Sequence, residues 1–450
     1  MHKLLGCIFC LFCASAAAGL SFSAQTALAG SVSPQQQDFT LQQYIALYLN
    51  YSPQLQTETN KLKIEHNTYK NAFTTAFLPS FSLGVSASET YGRNYHFSSW
   101  EDFQHGDSYG QAQGSWNLFN SGKDVLNYKM ASLDWQIAQI NYDSTVQQYV
   151  LEAVQTYYNL LLSQKLLQVY EDDLAVAKKQ YEQDSILYEN GLKTRSDLLS
   201  SDTNWRSSQL SLFSAQNDYA NALKNFNIAI NRPIEAPARL DENIPQDLPA
   251  LPPLDQDLTT AIAHRYDART RRLSLKQSDI TQTLGNLNTL PSVFVDLFAN
   301  TGRGFSTHEK WDYNYGISAG ISFDIGFLYF NKYRERKNVR LTNQNAHLEY
   351  EQFLRSLRDD VVETRNTLSL KMRSLEISKL RLQAATEKFD ATQLKYKNGL
   401  MGATDLTVAR QELISAQVDY ATLLSELTLS RLRYQYALGE QLYDYKPEGL

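Results

Sequence analysis

Cysteine is almost missing. Cys7, Cys10 and Cys13 are the only three in 450 residues, and all fall within the first thirteen positions. Disulfides, thiol catalysis and cysteine metal sites are therefore excluded from the rest of the chain. Histidine is sparse and scattered, at positions 2, 66, 96, 105, 264, 308 and 347, without metal-ligand spacing. No HExxH, Walker A or GxSxG motif occurs, so an enzyme reading has no anchor and no cofactor is expected. The acid pairs Asp172-Asp173 and Asp359-Asp360 fall on helix-type sequence and read as solvated faces. A dominant charge is lacking too: the net charge is −6, 20% of residues are charged, and no long basic or acidic run stands out, which speaks against a nucleic-acid partner.

Long hydrophobic runs are also absent after the N-terminus. No later stretch approaches the roughly 20 apolar residues a membrane-spanning helix needs. The one apolar run, LLGCIFCLFCASAAAGL, follows Lys3 and leads to Ala-Leu-Ala at 27–29. Residues 1–29 are expected to be a signal peptide cleaved near Ala29, with an N-terminal membrane anchor as the other reading. Leu4–Cys7 looks like a lipoprotein box but lies too near the start for an apolar region to precede it. An exported chain without such a helix is either soluble outside the inner membrane or crosses an outer membrane as strands.

Proline is scarce outside one place: six of the eleven fall between Asn231 and Asp257. That stretch cannot be a continuous helix or a central strand. It separates two copies of one pattern. YENGLKTRSDLL, from Tyr188, recurs as YKNGLMGATDLT, from Tyr396, at an offset of 208 residues. FLPSFSLGVSAS (77–88) is echoed by TLPSVFVDLFAN (289–300), and SWNLF (115–119) by SFDIG (322–326). The expected organisation is a first repeat over 30–232, a linker over 233–257, a second repeat over 258–440 and a tail over 441–450.

Periodicity gives the elements. After the second turn, Leu406, Leu413, Tyr420, Leu427 and Tyr434 recur every seven residues, matching Leu198, Trp205, Leu212, Tyr219 and Phe226 in the first copy. Before the turns, Val146, Ala153, Leu160, Leu167, Leu174, Tyr181 and Tyr188 match Leu354, Val361, Leu368, Leu375, Leu382, Phe389 and Tyr396. These are coiled-coil seams. Long helices are expected at about 121–190 and 331–398, each roughly 100 Å long at 1.5 Å per residue. Shorter ones follow at about 195–231 and 404–438, with Ser196 and Thr404 as N-cap candidates and Asp197 and Asp405 in the first turns. Each repeat is expected to open with a further helix.

Other segments alternate with period two. Phe81, Leu83, Val85 and Ala87 share one strand face, while Tyr313, Tyr315, Ile317, Ala319, Ile321, Phe323 and Ile325 share another. Val293, Val295, Leu297 and Ala299 repeat this less cleanly, because Phe294 and Phe298 fall on the opposite side. Strand pairs are expected at about 78–119 and 291–326, with apolar residues facing lipid. Arg93, Trp100, Arg303 and Trp311 lie in or near the connecting loops, where girdle or packing roles are favoured over recognition of sugars or phage. Four strands cannot close a barrel, and open edges in lipid are costly. The strands must close with those of other copies, twelve from three chains or eight from two.

This ordered set, a signal peptide, tandem halves, a strand pair in each, YxNGL…DL between heptad helices and YALG at 436–439, resembles the TolC-type outer-membrane efflux proteins over about residues 39–439. The resemblance implies a mostly α fold with a membrane β-barrel part: a homotrimer whose 12-stranded barrel, four strands per chain, continues into a long antiparallel α-helical barrel. It implies an outer-membrane exit duct of a tripartite efflux or type I secretion system, extending far into the periplasm and not an enzyme. Its partners would be a periplasmic adaptor (membrane fusion) protein, an inner-membrane pump or ABC transporter, and outer-membrane lipid. It also implies site residues at the helix tips. Asp405 would narrow the channel, with Val408 where the family has a second acid. Tyr396 and Asp197 would make tip-closure contacts, with Arg195 standing in for an arginine that is Met401 here. The turns Asn190-Gly191-Leu192 and Asn398-Gly399-Leu400 would dock the adaptor. The copies differ at Lys193 against Met401, Arg195 against Ala403 and Ser200 against Val408, where an asymmetric gate would be written. Two other readings remain. A stand-alone porin-like channel would be mostly strand, whereas only about 40–50 residues look strand-like here. A periplasmic coiled-coil structural protein would have no use for lipid-facing alternation.

Overall fold

A computed structural model describes residues 38–96, 99–241, 251–287, 290–304, 312–322 and 329–445. The expected signal peptide, part of the linker, the second strand loop with Trp311, and Phe323 and Ile325 lie outside the described residues, as do the side chains of Arg93, Trp100 and Arg303. The elements in order are β1 (Asp38–Phe39), α1 (Leu41–Tyr51), α2 (Pro53–Phe77), β2 (Ser80–His96), β3 (Ser99–Phe119), α3 (Lys123–Glu189), α4 (Arg195–Ala229), β4 (Arg239–Leu240), α5 (Leu254–His264), α6 (Tyr266–Leu287), β5 (Ser292–Gly304), β6 (Asp312–Ser322), α7 (Tyr329–Lys397) and α8 (Ala403–Ala437). The fold is mostly helical, with two tandem repeats and four long strands. Helix α5 begins inside the stretch expected to be linker, directly after Pro252-Pro253. Pro253 sits at its N-cap, where a missing N–H is harmless.

The four strands form one antiparallel sheet in the order β2-β3-β5-β6. Its register puts Phe81, Leu83 and Val85 on the same face as their partners Gly114, Ala112 and Gly110. Leu297 and Ala299 continue that face, followed by Ile317 and Tyr315. These side chains are largely uncovered; Val85 is 90% exposed and Tyr315 82%. An apolar face of this extent finds its solvent in hydrocarbon. The opposite face is small and polar, except at Tyr109, Phe294 and Phe298. A Cβ on Gly320 would lie 2.6 Å from Phe294 Cζ, and one on Gly316 2.7 Å from Phe298 Cζ. Both rings therefore lie across a neighbouring glycine and shield its backbone. Strands β2 and β3 are 17 and 21 residues long, longer than expected and beyond the 9–11 or so that cross a bilayer. Among the described residues their far ends pair only with each other past Asp107↔Gly304. Among the described residues, β2 and β6 are paired on one side only.

The helices lie side by side in two tiers. Near the sheet, α2 packs on α3, α3 on α6 and α6 on α7; beyond the middle, α4 packs on α3, α3 on α8 and α8 on α7. Each tier is four helices wide, matching the four strands. The 67- and 69-residue helices α3 and α7 run through both tiers. At mid-length the helices gain a conventional core. Tyr44 stacks on Phe226 at 4.2 Å, and Phe39 meets Phe226 edge-on. The short parallel pair β1–β4 closes over them, with the Tyr157 hydroxyl donating to Phe39 O at 3.0 Å. The second repeat has its own cluster, in which Ala261, Leu357, Val361 and Leu438 are buried beside the Arg365–Asp257 ion pair. The buried Gln147 of α3 binds the tail after α8: its Oε1 accepts from Leu442 N at 2.9 Å and Tyr443 N at 3.2 Å, and its Nε2 donates to Tyr443 O at 3.0 Å.

All four helices longer than 30 residues end alike. Gly191, Asn231, Gly399 and Gly439 have φ of 72, 54, 72 and 80°. The next residue's N–H reaches back to the carbonyl five positions earlier, as Leu192 N to Leu187 O at 2.8 Å. This left-handed closure favours Gly and admits Asn. Asn231 and Gly439 are equivalent positions, but only at Gly439 does another backbone intrude: a Cβ there would sit 2.4 Å from Arg265 N. We expect Gly439→Asn to destabilise the chain by at least about 2 kcal/mol and Asn231→Gly to change it by less than about 0.5. Loss of helical circular dichroism on heating tests the pair.

Candidate functional site: the tips of the two helical hairpins

The α3–α4 and α7–α8 hairpins reach their turns at 190–194 and 398–402. Helix α4 starts at Arg195 with Thr194 as N-cap, and α8 starts at Ala403 with Gly402 as N-cap. Ser196 and Thr404 are therefore inside the helices and not their caps, because Asp197 and Asp405 close the turns from one residue further on. The Asp197 carboxylate accepts from Thr194 N at 3.1 Å and from its hydroxyl at 2.7 Å, while Thr194 Oγ1 accepts from Asp197 N at 3.2 Å. The Thr194 hydroxyl holds the Asp197 carboxyl below the usual range. Asp405 accepts from Gly402 N at 3.3 Å.

Asp197 is thus committed to its own helix, and the structure does not bring it to Tyr396 as expected. Tyr396 instead meets Asp184 and Lys193. Its hydroxyl donates to Asp184 Oδ1 at 2.5 Å and accepts from Lys193 Nζ. Lys193 also donates to Asp184 Oδ1 at 2.5 Å and sits 4.5 Å from the Tyr396 ring centre. Asp184 is fully buried, and its Oδ2 has no partner among the described residues. Arg195 lies exposed beside this cluster and not in it. Burial raises the Tyr396 pKa, and its bond to Asp184 raises it further. Burial alone would lower that of Lys193, but its bonds to Asp184 and Tyr396 outweigh this and leave it raised.

The clamp joins the two hairpins of one chain. Behind it the joint stays polar. Asp173 and Arg410 are buried opposite each other at 3.4 Å, so Asp173 does not lie on a solvated face as its pairing with the exposed Asp172 suggested. Asn204 Nδ2 donates to Thr407 Oγ1 at 3.0 Å. Buried Gln180 Nε2, Ser378 Oγ and Arg410 Nη1 have no partner among the described residues. Over this stretch α3 turns Asp173, Ala177, Gln180 and Asp184 inward, while Tyr181 stacks on Trp205 of α4 at 5.0 Å. A helix between two neighbours needs two seams, and only the one carrying large residues is visible as a heptad.

The remaining predicted residues are exposed. Leu192 and Leu400, 73% and 74% exposed, crown the turns with Asn190, Gly191, Asn398 and Gly399. Asp405 and Val408 share the open side of the first turns of α8, with Val408 46% exposed. The hairpins also differ in stiffness. Lys371–Glu426, Arg381–Asp419 and Lys388–Glu412 bridge α7 to α8 at 2.5, 2.7 and 2.5 Å. The equivalents in α3 and α4 are Ser163–Asp218, Asp173–Ser211 and Gln180–Asn204, none of them an ion pair. Among the described residues no group of three or more His, Cys, Asp or Glu could hold a metal, and no helix is long and apolar enough to cross a membrane.

A lipid-facing sheet continued by paired long hairpins defines a class of outer-membrane channel. Residues 49–232 and 259–440 match the sequence profile of the outer membrane efflux proteins, and the chain belongs to that family. It is a family of channels and not of enzymes. The fold is shared with the Campylobacter jejuni CmeC outer membrane channel (TM-score 0.70, 18% identity, 90% of this chain and 87% of that one). It is shared with the open state of the Neisseria gonorrhoeae MtrE outer membrane channel (0.68, 19%, 89% and 89%). It is shared also with the outer membrane protein VceC of Vibrio cholerae (0.70, 16%, 90% and 97%). No curated protein sequence matches the chain.

The two raised pKa values have the same sign. Lys193 and Tyr396 hold their protons more tightly in the folded tip than their ordinary values of 10.5 and 10.0. The clamp's contribution is therefore complete at neutral pH and is lost as pH rises beyond about 10, through the folded values. Labels on Leu192→Cys and Leu400→Cys would report the spacing of the turns. We expect a narrow distance distribution at neutral pH that broadens above about pH 10. With Asp184→Asn it should be broad at every pH, because Lys193 then keeps a half-buried charge unpaired at a cost of about 3 kcal/mol.

Proposed function

We propose that this chain is the outer-membrane exit duct of a tripartite efflux or type I secretion system, passively conducting drugs or proteins outward. The observation that carries this is the four-stranded sheet with one face apolar and exposed and both edges open. In hydrocarbon an unpaired backbone group costs several kcal/mol, so β6 of one copy must pair with β2 of the next. Two copies would give eight strands, whose interior is just filled by side chains. Three give twelve strands, twelve helices per tier and an open lumen. The flanks support side-by-side association. Helix α4 exposes Leu199, Leu210 and Phe213, and α7 exposes Leu370, Ile377 and Leu380, with no partner for either stripe inside one chain.

In this reading the sheet lies in the outer membrane and the hairpins point into the periplasm. The signal peptide over residues 1–29 delivers the chain there. The tips form the gate. Asp405 narrows it, Val408 lies beside that constriction, and the Asp184–Lys193–Tyr396 clamp holds each protomer's hairpins together, with Arg195 and Asp197 at its margin. The exposed turns at 190–192 and 398–400 receive a periplasmic adaptor that couples the duct to an inner-membrane pump or ABC transporter.

A detergent-extracted particle should be a trimer about 130 Å long, from roughly 100 Å of helix and 30 Å of barrel. A monomer, or a much shorter particle, overturns the duct. In planar bilayers Asp405→Ala should raise single-channel conductance and weaken block by multivalent cations; unchanged behaviour removes Asp405 from the constriction.

A further inference from the structure

The polar face of the sheet is interrupted near its helix end. Phe294, Asp296 and Phe298 follow one another on that face of β5, about 7 Å apart per step. The register surrounds Asp296 with hydroxyls alone: its row across the sheet reads Ser80, Ser115, Asp296, Ser318. Asp296 is the only charged side chain among those described on this face, and no Lys or Arg shares the face with it. The carboxylate is half-buried and appears in no described ion pair. On either side the rings of Phe294 and Phe298 lie across Gly320 and Gly316. In that pose the far end of each ring, Cζ with Cε1 and Cε2, lies over the glycine of β6 opposite it. Covering a glycine needs only bulk, which Leu would supply, and it needs no carboxylate between the two covers.

A carboxylate with an aromatic ring on either side along its strand is a recognisable chemistry. A cation within about 6 Å of a ring centre is attracted by the ring's quadrupole, and the carboxylate adds direct charge attraction where the other described side chains of this face are uncharged. An apolar skirt around that cation would settle on the rings. We propose that Phe294, Asp296 and Phe298 form a binding station for lipophilic organic cations on the lumen wall, one per protomer, near the end of the barrel that joins the helices. This rests on reading the sheet as the duct's wall and names a cargo class for it: amphiphilic monocations carrying aromatic or bulky apolar groups. The Phe-Asp-Phe row lies three to seven residues past Pro291, at the start of β5, so it meets cargo as it leaves the helical tube for the barrel.

Binding of tetraphenylphosphonium to the detergent-solubilised full chain, followed by titration calorimetry, tests this. The wild-type protein should bind it saturably, and tetramethylammonium, which has the charge without the rings, at least about tenfold more weakly. Asp296→Asn should weaken tetraphenylphosphonium binding at least about tenfold while leaving neutral triphenylphosphine oxide unaffected. The double variant Phe294→Leu/Phe298→Leu keeps both glycines covered and should also lose about tenfold with an unchanged melting temperature. Wild-type affinity in either variant overturns the station. Because the readout is binding and not flux, its failure separates from that of the duct. A conducting trimer that binds the cation no better than Asp296→Asn sinks only the station, whereas a binding protein that forms no channel sinks the duct.

Discussion

The structure hangs on the backbone of two strand edges. Strand β2 offers 17 residues on one side of the sheet and β6 offers 11 on the other, and lipid provides nothing for their N–H and C=O groups to bond. Side-chain hydrophobicity alone would let this sheet sit in a membrane as an isolated patch. Backbone hydrogen bonding forbids it. In the proposed duct, closure with further copies answers this, and the width of the helical tiers goes with closure. A four-strand arc leads into four helices per tier, so a ring of sheets imposes a ring of helices. In that ring the exposed apolar stripes on α4 and α7 would face neighbouring copies and not water.

Within a protomer the two halves of the tube are held by different chemistry. The mid-length core is aromatic and aliphatic, packed around Tyr44 and Phe226. Toward the tips this gives way to a joint of Asp173, Gln180, Asp184 and Arg410, several of whose atoms find no partner among the described residues. A packed apolar joint has one good arrangement, whereas a polar one with spare donors and acceptors can exchange partners, or take up water, at little net cost. In the proposed duct, the place where the hairpins part is the place where the interior is least committed to one packing. The three ion pairs across α7 and α8 are too exposed to add much stability singly. They are distributed along one hairpin and absent from its counterpart, so the second hairpin is the one tied together internally.

Much of this was legible from residue order. The 208-residue offset, the heptads and the alternation in Tyr313–Ile321 specify two repeats, long hairpins and a lipid-facing strand without any coordinates. The alternation of β5 was blurred at Phe294 and Phe298 because those side chains answer to glycines on β6, a cross-strand relation that a single strand's pattern cannot carry. The clamp was half legible. Lys193 stood out as a difference between the copies, and Tyr396 was drawn in by resemblance. Asp184 sits on a polar heptad position of the kind that normally faces solvent, and Thr392 at the equivalent position gives no hint of charge. Asp197 was assigned across the hairpins because a sequence cannot say whether an acid in a first turn caps its own helix or reaches a neighbour. Thr194, three residues earlier, was the available sign.

The tail after α8 leaves the second repeat and is gripped by Gln147 of the first. This ties the repeats together at a level about 63 Å above the end of α3, taking 1.5 Å for each residue from 147 to 189. Below that belt the hairpins are levers with a common fulcrum. A tilt of about one degree at the belt displaces the tips by about 1 Å, so in the proposed duct rearrangements small enough to leave the aromatic core intact become, at the far end, the difference between rings of side chains that touch and rings that do not.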